Sequence, residues 1–428
     1  MGEGTSEQRR TLGFGSLLAL GVNGIVGVGI FFTPAAVAAR VPGYGGLGVY
    51  LVTAMAMAPV AVVYATLGGR FAEDGGPYVW ARAAFGPTLG FVVGWITYVS
   101  GLFSTSAILS FLAGTAATSL GLTSPGMGRL VSFVCVWLLA AVAATGLRPS
   151  AIVWNVVTLL KLLPLLVLAG LFVVRASDIA AVAEAGRPGL VQLGQAALVV
   201  VFATQGFEIV PVPAGNARRG RRAVPAATIG SLTLVVLLYL CLHAACVRAL
   251  PDLAQSSRPL VEAARVYGGE GASALVAIGT QVSALGIAFG MFTMTPRYLS
   301  VLGRADAFGR WLGEIDAKRR VPLRALLVTA VCVTALACSS GLTDLVVFSS
   351  IAVLTQFGVS AAALAVLAFR RARGLRRWQL WPTPLALVAL ALIGQTAQTE
   401  QLVVTGGVLG VGLALLAGRR VWRPGRGP

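Results

Sequence analysis

Apolar residues in this chain fall into runs of about 20 residues, separated by short polar stretches. At a rise of about 1.5 Å per residue, a run of that length forms a helix that crosses roughly 30 Å of hydrocarbon. The pattern predicts twelve membrane-spanning helices: Thr11 to Ala38, Leu47 to Phe71, Leu89 to Ser119, Leu130 to Gly146, Ile152 to Val174, Leu193 to Pro213, Val224 to Val247, Ala272 to Leu299, Pro322 to Ser340, Leu345 to Phe369, Pro384 to Gln398 and Gln401 to Gly418.

The composition agrees with a membrane protein. Of the 428 residues, 57% are hydrophobic and 11% are charged, whereas soluble domains carry about 25% charged residues. Mean hydropathy is +0.85. We therefore expect an all-α polytopic membrane protein.

The net charge of +18 raises the question of a nucleic-acid partner. The distribution of the basic residues argues against such a partner. Of these residues, 25 fall in alternate loops and the tails, and only seven fall in the loops on the opposite side. This bias places the richer side in the cytoplasm. We predict cytoplasmic tails at residues 1–10 and 419–428, a multi-pass protein of the inner membrane, and basic contacts with anionic lipid rather than nucleic acid.

Two of the predicted spans contain residues that weaken a helix. The first span has four glycines between Gly21 and Gly29, each costing about 1 kcal/mol relative to alanine. The sixth span carries polar residues and a glycine from Gln205 to Glu208. A proline follows five residues after Gly29 and again five residues after Gly206. We predict non-helical backbone around Val26 to Gly29 and around Ala203 to Gly206.

Matching interruptions five helices apart are typical of two inverted repeats that hold a substrate where the broken helices meet. The predicted repeats are residues 11–174 and 193–369, followed by two further helices at 380–418. Close helix packing is the alternative explanation for such glycines. Packing suits Gly21 and Gly24 at least as well, whereas unwinding is favoured for Gly27, Gly29 and Gly206.

Three ionisable residues lie within spans. Lys161 is near the middle of the fifth span, where a charged amine is costly, so we expect it to face the protein interior with its neutral form accessible. Glu208 is either a proton carrier or a partner of helix amides. His243 is the sole histidine, and an interior histidine with satisfied nitrogens is favoured over a proton relay or a ligand.

Several segments resemble, in order, the motifs of the amino acid-polyamine-organocation transporters. Ile25–Phe31 is similar to the first-helix Gly-x-Gly-Ile-Phe signature, and Gly75–Gly86 is similar to the loop after the second helix. Asn155–Lys161 resembles the fifth-helix Asn-x-x-Thr-x-x-Lys stretch, Gly206–Glu208 the sixth-helix signature, and Arg297–Pro322 the loop after the eighth helix. The resemblance covers nearly the whole chain.

The resemblance implies the leucine-transporter fold, with alternating access around a midplane site. It implies that backbone amides bind the substrate carboxylate, that backbone carbonyls bind its amino group, and that an aromatic gate covers the ligand. These residues are Gly27, Val28 and Gly29 for the amides, Ile25, Phe202, Ala203 and Gln205 for the carbonyls, and Phe207 for the gate. Lys161 would replace the sodium ion of coupled relatives, bonding to the unwound first helix and to Ser283. Val28 departs from the family's usual Ser or Thr, which removes a hydroxyl contact.

These observations predict a sodium-independent, proton-coupled secondary transporter. No acidic residue is placed to select a cationic side chain, so neutral amino acids of small or medium size are the first expectation for the substrate, and polyamines or other amines are the second. An amino acid or amine exchanger is the alternative, and a non-transporting sensor is a further one. One histidine cannot supply a His-Glu-x-x-His zinc site, and Lys161 has no Gly-x-Ser-x-Gly context, so an intramembrane protease is not expected. We expect no catalytic residues, metal or cofactor; the sequence leaves the oligomeric state open.

Overall fold

The computed structural model describes residues 12–71, 73, 76–119, 121, 124–146, 151–178, 188–214, 217, 219–304, 310–319 and 321–422. The predicted N-terminal tail at residues 1–10, Gly75 of the loop motif and residues 423–428 lie outside this part of the chain. The first four residues of the predicted C-terminal tail are helical, because the last helix continues to Trp422.

The described residues form helices, and the only β-type pairing among them is an isolated bridge between Leu12 and Ala217. The helices are α1 Phe14–Ile25, α2 Gly29–Ala38, α3 Gly45–Arg70, α4 Pro77–Phe85, α5 Pro87–Ser119, α6 Pro125–Ala144, α7 Ala151–Arg175, α8 Leu190–Thr204, α9 Gly220–Ala249, α10 Pro259–Arg304, α11 Arg310–Gly313, α12 Leu323–Ser339, α13 Leu342–Phe369, α14 Pro382–Gly394 and α15 Thr399–Trp422. The predicted all-α class is confirmed.

Every predicted span coincides with a helix or a broken helix. Within the described chain, seven helices are long and apolar enough to cross a membrane on their own, and two bent pairs bring the number to nine. One pair is α1 with α2, and the other joins the segment Arg377–Gly394 to α15. The apolar helices α8 and α12 are shorter. A polytopic membrane protein is therefore the architecture, and the number twelve stays a prediction.

Helices α10 and α4 differ most clearly from the prediction. Helix α10 begins at Pro259, earlier than the predicted start at Ala272, and it bends at Gly269, whose φ of +70° interrupts the helical backbone. Helix α4 occupies the loop after the second span, where no helix was predicted. Its ends are marked by Pro77 in the first turn and by Gly86 with φ of +89°. Proline at the first helical position and glycine beyond the last suit the two ends of a helix.

The chain divides into two compact units, and each has its own packing. The first comprises Met1–Gly86, Thr158–Ser283 and Phe357–Ala397. In this unit α9 packs along α3 and α1, α2 packs on α8, and α14 packs on α3 and α8. The interior is formed by small and branched apolar side chains together with buried tyrosines.

The second unit comprises Pro87–Val157, Ala284–Gln356 and Gln398–Pro428. Helix α5 packs on α6, α12 and α15 in this unit. Its polar side chains find partners across helices, since Trp95 Nε1 donates to the carbonyl of Leu409 at 3.1 Å and the hydroxyls of Ser104 and Ser349 lie 2.6 Å apart. The predicted division into repeats at residues 11–174 and 193–369 stays a prediction.

Candidate functional site

The first predicted span is broken near its middle. Helix α1 ends at Ile25, and Val26 leaves the helical region with ψ of 85°. Helix α2 begins at Gly29, and its axis is bent by 48° from that of α1. The predicted interruption between Val26 and Gly29 is therefore confirmed, with Gly29 as the first residue of the second half-helix.

The sixth predicted span is also broken. Helix α8 ends at Thr204, Gln205 turns out of the helix with ψ of 148°, and Gly206 adopts φ of +122°. A short 3₁₀ turn, Phe207–Ile209, follows. The predicted break is confirmed, but the prediction of non-helical backbone at Ala203 is wrong. The helix persists two residues longer, through Thr204, whose Oγ1 donates to the carbonyl of Val200 at 3.0 Å.

Glycines let the two breaks touch within the first unit. A side chain on Gly206 would collide with the carbonyl group of Gly24, and a Cβ on Gly29 would lie 2.7 Å from the Cα atom of Ala203. The positive φ of Gly206 adds a second reason for glycine there. Gly21 packs closely on Ser231 in the same way. The packing interpretation therefore holds for Gly21 and Gly24. Gly206 and Gly29 lie at the breaks and also form the close contact between them.

Backbone groups at the first break are partly free. The described residues offer no backbone acceptor to the amides of Val28 and Gly29, at the N-terminus of α2. The amide of Gly27 instead donates to the carbonyl of Ile25 at 2.8 Å. That carbonyl also accepts the hydroxyl of Tyr239 at 3.1 Å. The expected free amide at Gly27 and the expected free carbonyl at Ile25 are thus paired in this structure.

At the second break, the amide of Gln205 donates to the carbonyls of Val201 and Phe202, at 3.0 and 3.3 Å. The carbonyl of Phe202, expected to be free for a ligand, therefore has a donor. Ala203 lies in the last turn of α8, against Gly29. The end of α8 and the start of α2 therefore pack against each other at Ala203 and Gly29.

Lys161 on α7 reaches the first break. Its Nζ donates to the carbonyl of Asn23 at 2.6 Å and to that of Val26 at 2.7 Å. The side chain is only 1% exposed, so the prediction that it faces the interior is confirmed. The hydroxyl of Ser283 is buried without a partner among the described residues, and the expected bond between Lys161 and Ser283 is absent there.

Thr158 belongs to the Asn155–Lys161 motif, but the sequence analysis assigned it no role. It lies one turn before Lys161, and its Oγ1 donates to Oδ1 of Asn23 at 3.1 Å. Helix α7 therefore holds Asn23 twice, by its side chain and by its carbonyl group. The spacing of three residues was the available signal, because positions i and i+3 share a helix face.

Glu208 stabilises the second break. Its Oε2 accepts the amide of Gly206 at 2.7 Å. Of the two interpretations offered by the sequence, the geometry matches the contact with a helix amide. A role as proton carrier stays a prediction.

Aromatic side chains flank the second break on both sides. Phe207 is buried and lies edge-on to Tyr64, with ring centroids 5.8 Å apart, and 5.4 Å from the ring of Phe357. Phe202, before the break, lies 6.0 Å from Phe32 of α2. A gating role for Phe207 stays a prediction, since its ring is enclosed by other aromatic rings here.

His243 is interior, as expected, but the expectation of satisfied ring nitrogens is wrong. Neither nitrogen has a hydrogen-bond partner among the described residues. The same part of the chain contains no group of three His, Cys, Asp or Glu side chains that could hold a metal ion. Around the two breaks, the groups available to bind a ligand are therefore backbone amides and carbonyls, the buried amine of Lys161 and the carboxyl group of Glu208.

Comparison with known proteins adds evidence of a different kind. The sequence model of the amino acid permease family matches residues 12–406, which is most of the chain. An uncharacterized transporter of Mycobacterium tuberculosis is 28% identical over 429 aligned positions, covering 97% of this chain and 92% of that protein.

Two further relatives carry more specific names. An arginine/ornithine antiporter of Pseudomonas aeruginosa is 28% identical over 347 positions, covering 77% of this chain and 71% of the relative. A putative arginine/ornithine antiporter of Bacillus subtilis is 27% identical over 360 positions, with 76% of each chain covered.

Proposed function

The chain belongs to the amino acid permease family, and from that premise we propose that it carries uncharged amino acids across the cytoplasmic membrane without sodium. Family membership makes the chain an amino acid-polyamine-organocation permease and points to a membrane transporter rather than to an enzyme. The substrate class, the coupling to protons and the residues involved are our proposal.

The contact between Lys161 and the end of α1 is the observation that carries the proposal. A buried ammonium group needs acceptors, and the carbonyls of Asn23 and Val26 supply two at 2.6 and 2.7 Å. Carbonyl oxygens at the end of a broken helix are also the ligands that a sodium ion takes in transporters built this way. We infer that the amine fills the place of that ion, so that uptake needs no sodium.

The same amine supplies a route to proton coupling. A buried lysine that loses its proton keeps its stem in place but no longer attracts the two carbonyls by charge. Release of α1 would follow deprotonation, and capture of α1 would follow protonation. We propose that this exchange couples transport to protons, with the buried hydroxyl of Ser283 and the carboxyl group of Glu208 as further participants.

The amides of Val28 and Gly29 suit a substrate carboxylate. They open helix α2, where the helix dipole favours negative charge, and α2 is ten residues long. The substrate amino group would take carbonyls near the second break, from Ala203 and Gln205. Binding would also require the paired groups of Gly27, Ile25 and Phe202 to exchange partners, which makes them part of the proposed site.

The side-chain environment favours an uncharged substrate. Among the described residues that form the two breaks, Glu208 is the acidic one, and its carboxyl group is bonded to the amide of Gly206. The rings of Phe202 and Phe32 and the methyl of Ala203 are apolar. A cationic side chain would meet the amine of Lys161 and no free carboxylate, so we propose neutral amino acids although two relatives are named for arginine and ornithine.

Exchange is the second candidate mode of transport. The relatives named arginine/ornithine antiporters favour it, because both share about three-quarters of this chain's length. In that mode Lys161 stays protonated throughout. The transporter returns to its starting orientation only with a second substrate bound.

Uptake by the purified protein in liposomes separates these possibilities. The proposal requires accumulation of a labelled neutral amino acid in sodium-free buffer when a pH gradient is imposed. Exchange would instead require unlabelled amino acid inside the vesicles and would proceed without the gradient. An absolute sodium requirement, or no transport of any amino acid in either format, would contradict the proposal.

A further inference from the structure

A group of buried polar side chains on α3 and α9 has no part in the proposed transport site. We define the α3–α9 polar cluster as Tyr50 and Thr53 of α3 together with His243 of α9. All three residues are fully buried, and the two helices pack along each other within the first unit. The rings of Tyr50 and His243 have centroids 5.0 Å apart.

Four polar atoms of this cluster have no hydrogen-bond partner among the described residues. They are the hydroxyls of Tyr50 and Thr53 and both ring nitrogens of His243. A neutral imidazole has one donor and one acceptor, and each hydroxyl can do both. Buried polar groups are nearly always paired, and an unpaired group inside a membrane bundle is especially costly. The cluster therefore calls for a ligand that both donates and accepts hydrogen bonds.

Other buried hydroxyl groups nearby do have hydrogen-bond partners, and this difference distinguishes the cluster. Along the same face of α9, Thr228 bonds back to the carbonyl of Val224, Ser231 to that of Thr228, and Tyr239 reaches the carbonyl of Ile25. The buried hydroxyl of Thr33 likewise bonds back to its own helix. Thr53 makes no such bond. Its hydroxyl is left available for a partner from outside its own helix.

The backbone makes room for the imidazole. A Cβ on Gly46 would collide with Nε2 of His243, so α3 presents a bare backbone to that side of the ring. Gly46, Tyr50 and Thr53 share one face of α3, because they are spaced by four and three residues. The imidazole is thus packed against one end of this face, and the two hydroxyls continue it.

We propose that the α3–α9 polar cluster is a binding site for internal water. Water is the small ligand that can donate to one of these atoms and accept from another, and buried waters ordinarily make about three such bonds. Tyr239 lies one turn before His243 on α9 and holds the carbonyl of Ile25 at the end of α1. The inference does not depend on the proposed transport function.

The sole histidine allows a direct test. The full-length protein, purified without a histidine tag and labelled with ¹⁵N-histidine, is placed in lipid bilayers for solid-state NMR. We expect magnetisation from water protons to reach the imidazole nitrogens of His243. In a Tyr50→Phe, Thr53→Val double variant the transfer should fall by about twofold or more, because two groups that hold the water are lost. Tyr64→Phe, which removes another buried hydroxyl in the same unit, should leave it unchanged.

Thermal unfolding of Tyr50→Phe gives a second readout with opposite expected signs. If the hydroxyl binds water, its removal leaves the water with one partner fewer and the midpoint temperature falls. If the hydroxyl is buried dry, its removal relieves an unpaired polar group and the midpoint rises. A rise, absence of transfer from water, transfer only from lipid protons, or equal transfer in the double variant would each overturn the proposal.

Discussion

At the scale of single residues, Lys161 has the most consequential position. A charged amine in the interior of a membrane bundle is tolerated when acceptors replace its water. The carbonyls of Asn23 and Val26 take two of its three N–H donors, and one donor is left for a further partner. Both carbonyls lie at the end of α1, beside the first break, where we propose the substrate site. The amine and the break therefore respond to one another.

Replacing Lys161 by alanine should leave the protein folded and lower net uptake by at least about tenfold. Each hydrogen bond to a charged group contributes about 1.5–3 kcal/mol, and 1.4 kcal/mol is a factor of ten. The measurement is proton-driven uptake in proteoliposomes over a range of pH. The matched control is Lys318→Ala, since Lys318 is the other lysine of the chain and is exposed. Full activity with unchanged pH dependence in Lys161→Ala would contradict the coupling role.

Thr158→Val should weaken the attachment of Asn23 to α7. The substitution keeps the size of the side chain and removes the 3.1 Å hydrogen bond to Asn23, which contributes about 1 kcal/mol. We expect a lower midpoint of thermal unfolding and about fivefold slower uptake. Thr158→Ser retains a hydroxyl and should behave like the wild type. Equal behaviour of the valine and serine variants would exclude a role for this bond.

At the scale of the helix, the two broken spans follow from several weak preferences acting together. Glycine destabilises a helix interior, and Pro34 cannot donate to the carbonyl four residues before it. These preferences allow a break, and the contacts hold it: Glu208 bonds to the amide of Gly206, and α1 is held by Lys161. The crossing of the two spans is close because Gly24 meets Gly206 and Gly29 meets Ala203.

Substituting alanine at the crossing should abolish ligand binding while the chain still inserts. Gly29→Ala presses on the backbone of Ala203, and Gly206→Ala forces a side chain into a φ of +122°. A side chain in a left-handed backbone costs about 1–2 kcal/mol. Gly29→Leu should be more severe, and Gly27→Leu should also block the site by its bulk.

The readout for these variants is stabilisation by ligand in thermal unfolding, with membrane insertion checked by yield and gel filtration. Gly48→Ala is the control, because Gly48 lies in α3 with open space around its Cα. It should bind ligand as the wild type does. Normal binding in both Gly29→Ala and Gly206→Ala would place the site away from the crossing.

At the scale of the whole molecule, transport requires the spans to keep a defined orientation in the bilayer. We propose that the basic residues set that orientation, with 25 on the predicted cytoplasmic side and seven on the other. The charge bias acts during insertion and is independent of the substrate site.

The orientation can be tested by labelling cysteines in a variant whose five native cysteines are replaced. Asp252→Cys, in the loop after α9, should react with a membrane-impermeant maleimide in intact cells. Lys318→Cys should react only after the cells are permeabilised. Both positions are exposed in the structure, so burial does not limit labelling. The reverse pattern would invert the topology.

Substrate choice is tested by a thermal-shift screen of the twenty amino acids on the detergent-solubilised protein. A ligand that binds only the folded state, present at a concentration of one hundred times its Kd, stabilises that state by about 2.7 kcal/mol. We expect small and medium neutral amino acids to raise the midpoint temperature, and arginine and ornithine to leave it unchanged. Stabilisation by arginine or ornithine alone would show that the preference of the named antiporters extends to this chain.

Several properties followed from the sequence by itself. The positions of the long helices, the all-α class, the two broken helices and the interior position of Lys161 were predictable from it. The reason is physical: hydropathy, the weak helix propensity of glycine and the missing donor of proline act within a few residues. A mid-span amine likewise has one low-cost direction to face. The family resemblance rested on the same local motifs.

Only the tertiary structure decided which groups pair. Lys161 donates hydrogen bonds to the carbonyls of Asn23 and Val26. The carbonyl of Ile25 accepts the hydroxyl of Tyr239, and Ala203 is helical and packs against Gly29. The first of these partners lies 138 residues away along the chain. No local pattern encodes such a distance, because the partner of a buried polar group depends on which helices pack together and at what height. The unpaired nitrogens of His243 are a consequence of the same packing.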